Sequence, residues 1–127
     1  MFEVEFYQDK NGKEPVREFL ISLKEKSGTS KENRILFHKV LAYVRILQEY
    51  GTRAGEPYIK HLGDGIWELR PLSERILFFA HINGKFVLLH HFRKRTRKTP
   101  KRELECAQKR MLDYTKREGE NHGDEFQ

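Results

Sequence analysis

The side chains in this sequence that could do chemistry are guanidinium, ammonium, imidazole and one well-placed carboxylate, and most fall between Lys60 and Pro100. Phosphate-binding glycine loops, nucleophile-elbow serines and carboxylates at metal-binding spacing are absent. That kit suits metal-free cleavage of RNA, in which a 2′-hydroxyl attacks the adjacent phosphodiester and the extra charge of a phosphorane must be neutralised. Arg70 and Arg75 are the first candidates, because a planar guanidinium meets two phosphate oxygens at once. A base must also take the 2′ proton and an acid must protonate the 5′-leaving oxygen. Glu68, His90, His91 and Lys94 are near enough along the chain to share those tasks, His91 being the histidine assigned to the site. Lys60, Arg93, Arg95, Arg97 and Lys98 would hold phosphate, and Trp67 would stack on a base. No cysteine-histidine grouping has zinc spacing, so neither metal nor cofactor is expected.

Each residue also has a plainer reading. Glu68 and Arg70 share one face of one strand and serve equally well as a same-face ion pair. His90 and His91 point to opposite faces, so at most one meets a site and the other is a hydrogen-bonded core or edge histidine. A tryptophan in an alternating strand belongs more often to a core than to a stacking platform. Seven of the ten residues from Arg93 to Arg102 are Lys or Arg, and such a run is commonly a solvated loop. A polyanion is favoured here because the run leaves the edge of a sheet whose other strands carry Arg70 and Arg75.

Those residues need a sheet to position them. Ile66, Glu68 and Arg70 point one way and Trp67 and Leu69 the other, the alternation of a strand. Arg75 to Ile82 is apolar on both faces and predicts a central strand covered on both sides. Asn83-Gly84 tolerates the positive φ of a type I′ turn, so Lys85 to Phe92 must return antiparallel beside it. Earlier, Phe2 to Tyr7 alternates as a short strand, and Val16, Phe19, Leu20 and Leu23 mark a helix that Pro15 opens and Gly28 stops. Thr29-Ser30-Lys31-Glu32 has capping-box spacing with Thr29 as the cap, and a longer helix follows as far as Gly51. Tyr58 to Leu62 adds a short extended piece. Thr99-Pro100 supplies a cap and a first-turn proline for a third helix carrying Leu104, Ala107, Met111 and Tyr114. The expectation is one α+β domain over residues 1–118, with a helical hairpin on one face of a small antiparallel (mixed) sheet, part of the other face free, and a frayed polar tail over residues 119–127.

The net charge is +6, with an isoelectric point near 9.5, which points to a nucleic acid or an acidic protein as partner. The single Cys106 excludes an intrachain disulfide and suits a reducing cytoplasm. No charged-then-apolar leader opens the sequence, and its apolar runs are too short for a membrane span.

Several short segments in order resemble the HigB branch of the RelE-like toxins, the group that includes phage-derived proteins. They are Lys60-x-Leu62, then Gly65-Ile66-Trp67-Glu68-Leu69-Arg70, then Arg75 to Phe79, then Leu88 to Phe92 with Lys94, and last Lys98-Thr99-Pro100 with Glu103 and Ala107. The resemblance implies a microbial-ribonuclease-like fold and a ribosome-dependent mRNA interferase that cuts translated mRNA in the A site. It also implies silencing by a HigA-like helix-turn-helix antitoxin, a heterotetramer built on an antitoxin dimer, and contact with DNA only through that antitoxin. Arg70, Arg75 and the basic pair Lys94-Arg95 take the family's cationic positions. Relatives often carry two lysines at the pair, and the residue standing at Glu68 varies among them. The rival reading is a basic module of the same fold that binds nucleic acid or a protein without cleaving.

Overall fold

The computed structural model describes residues 1–125, with side chains described as far as residue 119. Its elements in order are β1 (Glu3–Phe6), α1 (Pro15–Lys26), α2 (Lys31–Tyr50), a 3-10 turn (Gly51–Ala54), β2 (Ile59–Gly63), β3 (Ile66–Leu69), β4 (Glu74–His81), β5 (Lys85–Arg93) and α3 (Lys101–Glu125).

The helices start and stop for local reasons. Pro15 opens α1, where its missing N–H costs nothing. The cap of α2 is Ser30, one residue later than the capping-box pattern implied: its side chain accepts from Asn33 N at 3.3 Å. Thr29 cannot take that place, because its own N–H still bonds back to Lys26 O at 3.2 Å and belongs to the end of α1. Gly51 ends α2 at φ +64°, and a Cβ there would lie 2.8 Å from the Phe2 ring, so the stop also lets the N-terminus pack in. Beyond Glu118 the apolar period of α3 is exhausted, yet the helix continues to Glu125. Gly119 and Gly123 each cost about 1 kcal/mol of helix propensity, which does not by itself end a helix. Of the tail expected from the sequence, Phe126 and Gln127 lie outside the described residues.

The five strands form one sheet in the order β1-β5-β4-β3-β2, with β1 parallel to β5 and every other pair antiparallel. Asn83 and Gly84 both have positive φ, at 72° and 73°, as the type I′ turn between β4 and β5 requires. Asp64 and Gly65, at 52° and 82°, do the same between β2 and β3. Central β4 is buried from Glu74 to Phe79 and sends alternate residues into two cores. Ile76 and Phe78 pack with Val16, Leu20, Val40 and Leu47 of α1 and α2, whereas Leu77 and Phe79 pack with Ala107 and Tyr114 of α3.

The second face is left free only in part, as the sequence suggested. Helix α3 lies across it, and what stays uncovered is one end, where β3 finishes, β4 begins and β5 finishes. Register there depends on a bulge. Leu77 pairs with His90 but Phe78 pairs with Leu88, which leaves Leu89 as an extra residue in β5. Leu89 and His90 consequently both face α3, and the alternation resumes with His91 towards α1 and Phe92 towards α3.

Candidate active site

The uncovered end of the sheet forms a cleft of about 480 Å³. Lys60 comes from β2, Glu68 and Arg70 from the end of β3, Arg75 from the start of β4, and Phe92 and Lys94 from the end of β5. The segment leading to α3 closes it with Arg97, Lys98, Thr99 and Lys101. Seven cationic side chains and one carboxylate line this space, a balance that attracts an anion whatever the details of each pair.

Glu68 is the hub. Its carboxylate is only 4% exposed; Oε1 lies 3.4 Å from Arg70 Nε and 3.7 Å from Arg75 Nε, and Oε2 accepts a 2.7 Å hydrogen bond from the Thr99 hydroxyl. A carboxylate this deep needs such compensation, because an uncompensated charge would be costly to bury. The same-face pair inferred from sequence is real, with Arg75 and Thr99 added as further partners of the carboxylate.

The two arginines differ in how they are held. Arg75 is buried and fixed: its NH1 donates to Leu72 O at 2.8 Å and to Glu74 O at 2.7 Å. Those bonds close the Pro71–Ser73 turn, in which Leu72 sits at φ +53°. Burial pushes the Arg75 guanidinium below its ordinary value, and neighbouring Glu68 pulls the other way. Arg70 is 23% exposed, and its NH1 reaches Glu56 Oε1 at 3.4 Å. Its Nε is buried and makes no hydrogen bond among the described residues, so the approach to Glu68 is a contact between charges rather than a directed bond. Lys94 is exposed, and its backbone N–H donates to Ser73 O at 2.7 Å, tying the start of the basic segment to the same turn that Arg75 closes.

Of the residues singled out from the sequence, Glu68, Arg70, Arg75, Lys94, Lys60, Arg97 and Lys98 come together here. Others do not. His91 faces α1, where its ring stacks on Phe19 at 4.1 Å and Nδ1 lies 3.8 Å from Glu74 Oε2. Trp67 is half-buried against the core of α1 and α2, beside His61 at 4.4 Å between ring centres. Arg93 and Arg95 are exposed outside the lining. His90 faces α3 instead, with Nε2 3.2 Å from Glu103 Oε1 and Nδ1 3.1 Å from Arg110 NH1. Thr99, expected to cap α3, donates its hydroxyl to Glu68, 31 residues earlier in the chain, and no local pattern could have signalled that. Among the described residues, no three His, Cys, Asp or Glu side chains form a group that could hold a metal ion, and no helix is long and apolar enough to cross a membrane.

No curated protein sequence matches the chain significantly. Residues 23–112, which include every residue of the cleft, match the family described as Phage derived protein Gp49-like (DUF891). Because that match spans well over half of its length, the chain belongs to the Gp49-like family of phage-derived proteins, a RelE/HigB-like family of toxins.

Proposed function

We propose that this protein is the toxin of a type II toxin–antitoxin pair of the HigB type, a ribosome-dependent endoribonuclease that cuts translated mRNA in the A site. Membership of a toxin family associated with endoribonucleases supports a toxin with a cognate antitoxin. The observation that carries the finer reading is the meeting of Arg70 and Arg75 on one buried carboxylate, with Lys94 lining the same cationic cleft. A HigA-like helix-turn-helix antitoxin neutralises it, and the pair acts in the cytoplasm.

In this mechanism the RNA backbone lies along Lys60, Arg97 and Lys98, which fix its register through phosphate without reading bases. Glu68 takes the proton of the 2′-hydroxyl, whose oxygen then bonds to phosphorus. Arg70 and Arg75 neutralise the equatorial oxygens of the phosphorane, where preorganised donors have most effect. Lys94 gives a proton to the departing 5′-oxygen, and the products are a 2′,3′-cyclic phosphate and a 5′-hydroxyl. His91 has no part in it, being packed on Phe19.

The rival is a module of the same fold that binds without cutting. It draws on one observation, that Glu68 already serves two guanidinium groups and a hydroxyl. Primer extension on an mRNA during translation separates the two. The wild type should create new 5′ ends within codons at the A site, and Glu68→Gln, Arg70→Ala or Lys94→Ala should lose them while staying folded. A folded wild type that arrests growth and leaves no new ends would refute the nuclease.

A further inference from the structure

Among the described residues, the Thr99 hydroxyl is the one hydrogen-bond donor on Oε2 of Glu68, at 2.7 Å, while Oε1 faces the two arginines. The two oxygens are therefore held by different chemistry, a directed O–H bond on one side and contacts between charges on the other. A carboxylate held only by charge contacts can swing; one also held by a short hydrogen bond cannot.

The rest of the segment serves to bring that hydroxyl into place. Lys94 N is anchored on Ser73 O, and the Thr96 hydroxyl closes a tight turn on Lys98 O at 2.7 Å. Just beyond Thr99, Pro100 O accepts from Glu103 N and Leu104 N at the start of α3. Thr99 is thus pinned from both sides, and it gives its hydroxyl to a strand rather than to the helix it precedes.

We infer that Thr99 is a positioning residue: its hydrogen bond fixes Glu68 against the arginines and sets the carboxylate in register with the segment that carries Lys94. This rests on the reading of the cleft as the cleaving centre. Without the hydroxyl, Glu68 is free to turn about its last bond, and the proton it must accept is no longer in line. Binding of the ribosome–mRNA complex, which depends on the surrounding cations, is untouched.

The test is a double-mutant cycle on single-turnover cleavage of mRNA in purified ribosome complexes, using the full-length protein. Thr99→Val should lower the maximal rate by on the order of 10- to 100-fold, the size typical when a group orienting a reactive side chain is removed. The half-saturating concentration should stay within about twofold, because only uniform binding energy would move it. Thr99→Ser keeps the hydroxyl and should restore the rate, which a role in packing the threonine methyl would not allow. Thr99→Val combined with Glu68→Gln should be no slower than Glu68→Gln alone, since the hydroxyl acts only through that carboxylate.

A wild-type protein that cuts, with a valine variant that cuts as fast, overturns the inference and leaves the nuclease standing. Losses that multiply in the double variant also overturn it. A wild-type protein that cuts nothing overturns both. Should Thr99→Val not fold by near-ultraviolet circular dichroism, Thr99→Ala takes its place in the cycle with the same expectations.

Discussion

Arg75→Ala should cost far more stability than Arg70→Ala, although the two side chains share a cleft and a carboxylate. NH1 of Arg75 makes two short bonds to backbone oxygens, and the side chain is 7% exposed. Hydrogen bonds to a charged group are worth roughly 1.5–3 kcal/mol each, and an acceptor left dry costs its desolvation. Leu72 is half exposed, so water can replace the donor at that carbonyl; Glu74 is buried, so its carbonyl regains less. Against this, removal relieves the burial of Arg75 and its repulsion from Arg70. The balance is a loss of about 3 kcal/mol, which is about 10 °C in Tm for a domain of this size. Arg70 is more exposed and its Nε makes no hydrogen bond among the described residues, so its removal should cost under about 1 kcal/mol. Urea unfolding followed by fluorescence suits the comparison, because Trp67 is the only tryptophan and is half-buried against the core of α1 and α2, where unfolding exposes it. Equal midpoints for the two variants would refute the argument that the carbonyl bonds of Arg75 hold the turn. The same figure bears on activity assays: a loss of cleavage in Arg75→Ala counts as chemistry only when the folded fraction has been measured.

Three further outcomes follow from particular contacts. Ser30→Ala should lose about 1 kcal/mol in urea unfolding and Thr29→Ala only a few tenths, because Ser30 holds the Asn33 N–H. Burial pushes the His90 imidazole below its ordinary value, with Arg110 and His91 acting in the same direction and Glu103 against. The unfolded chain then binds more protons than the folded one, so the stability due to neutral His90 is full above about pH 6.5 and lost as pH falls below it. The difference in urea midpoint between wild type and His90→Gln should shrink from pH 7 to pH 5, and a constant difference would contradict the assignment. Affinity for a single-stranded RNA should fall steeply with salt, and Lys98→Ala should reduce the slope of log K against log salt by about 0.7. An unchanged slope would place Lys98 off the RNA path.

What could be read in advance follows the range of the forces involved. The Asn83-Gly84 turn, the apolar stripes of α1 and α2 and the doubly buried β4 are fixed by neighbours in sequence, and all were legible. The opposite facing of His90 and His91 was legible too, but not that neither lines the cleft. That depends on the extra Leu89, which a run of apolar residues conceals. Trp67 and His91 look like site residues only while the packing of α1 and α2 is unknown. The bond between Thr99 and Glu68 joins the start of one helix to a strand two turns and two strands earlier. Arg70, Arg75 and Lys94 were identifiable by chemical type, whereas the difference between a pinned and a loosely held arginine lies in the carbonyls around them.

Leu89 acts as a gear change within β5. Upstream of it the strand keeps step with β1 and the Asn83-Gly84 hairpin; downstream, Phe92 and Lys94 reach the cleft because the strand takes up that residue as a bulge and not in regular pairing. A variant lacking Leu89 would pair regularly, with His90 taking its place towards α3, and His91, Phe92 and Lys94 would keep the directions they have now. The far end of this strand is thus insulated from that deletion, whose cost would fall instead on the core beside α3, where Leu89 is fully buried.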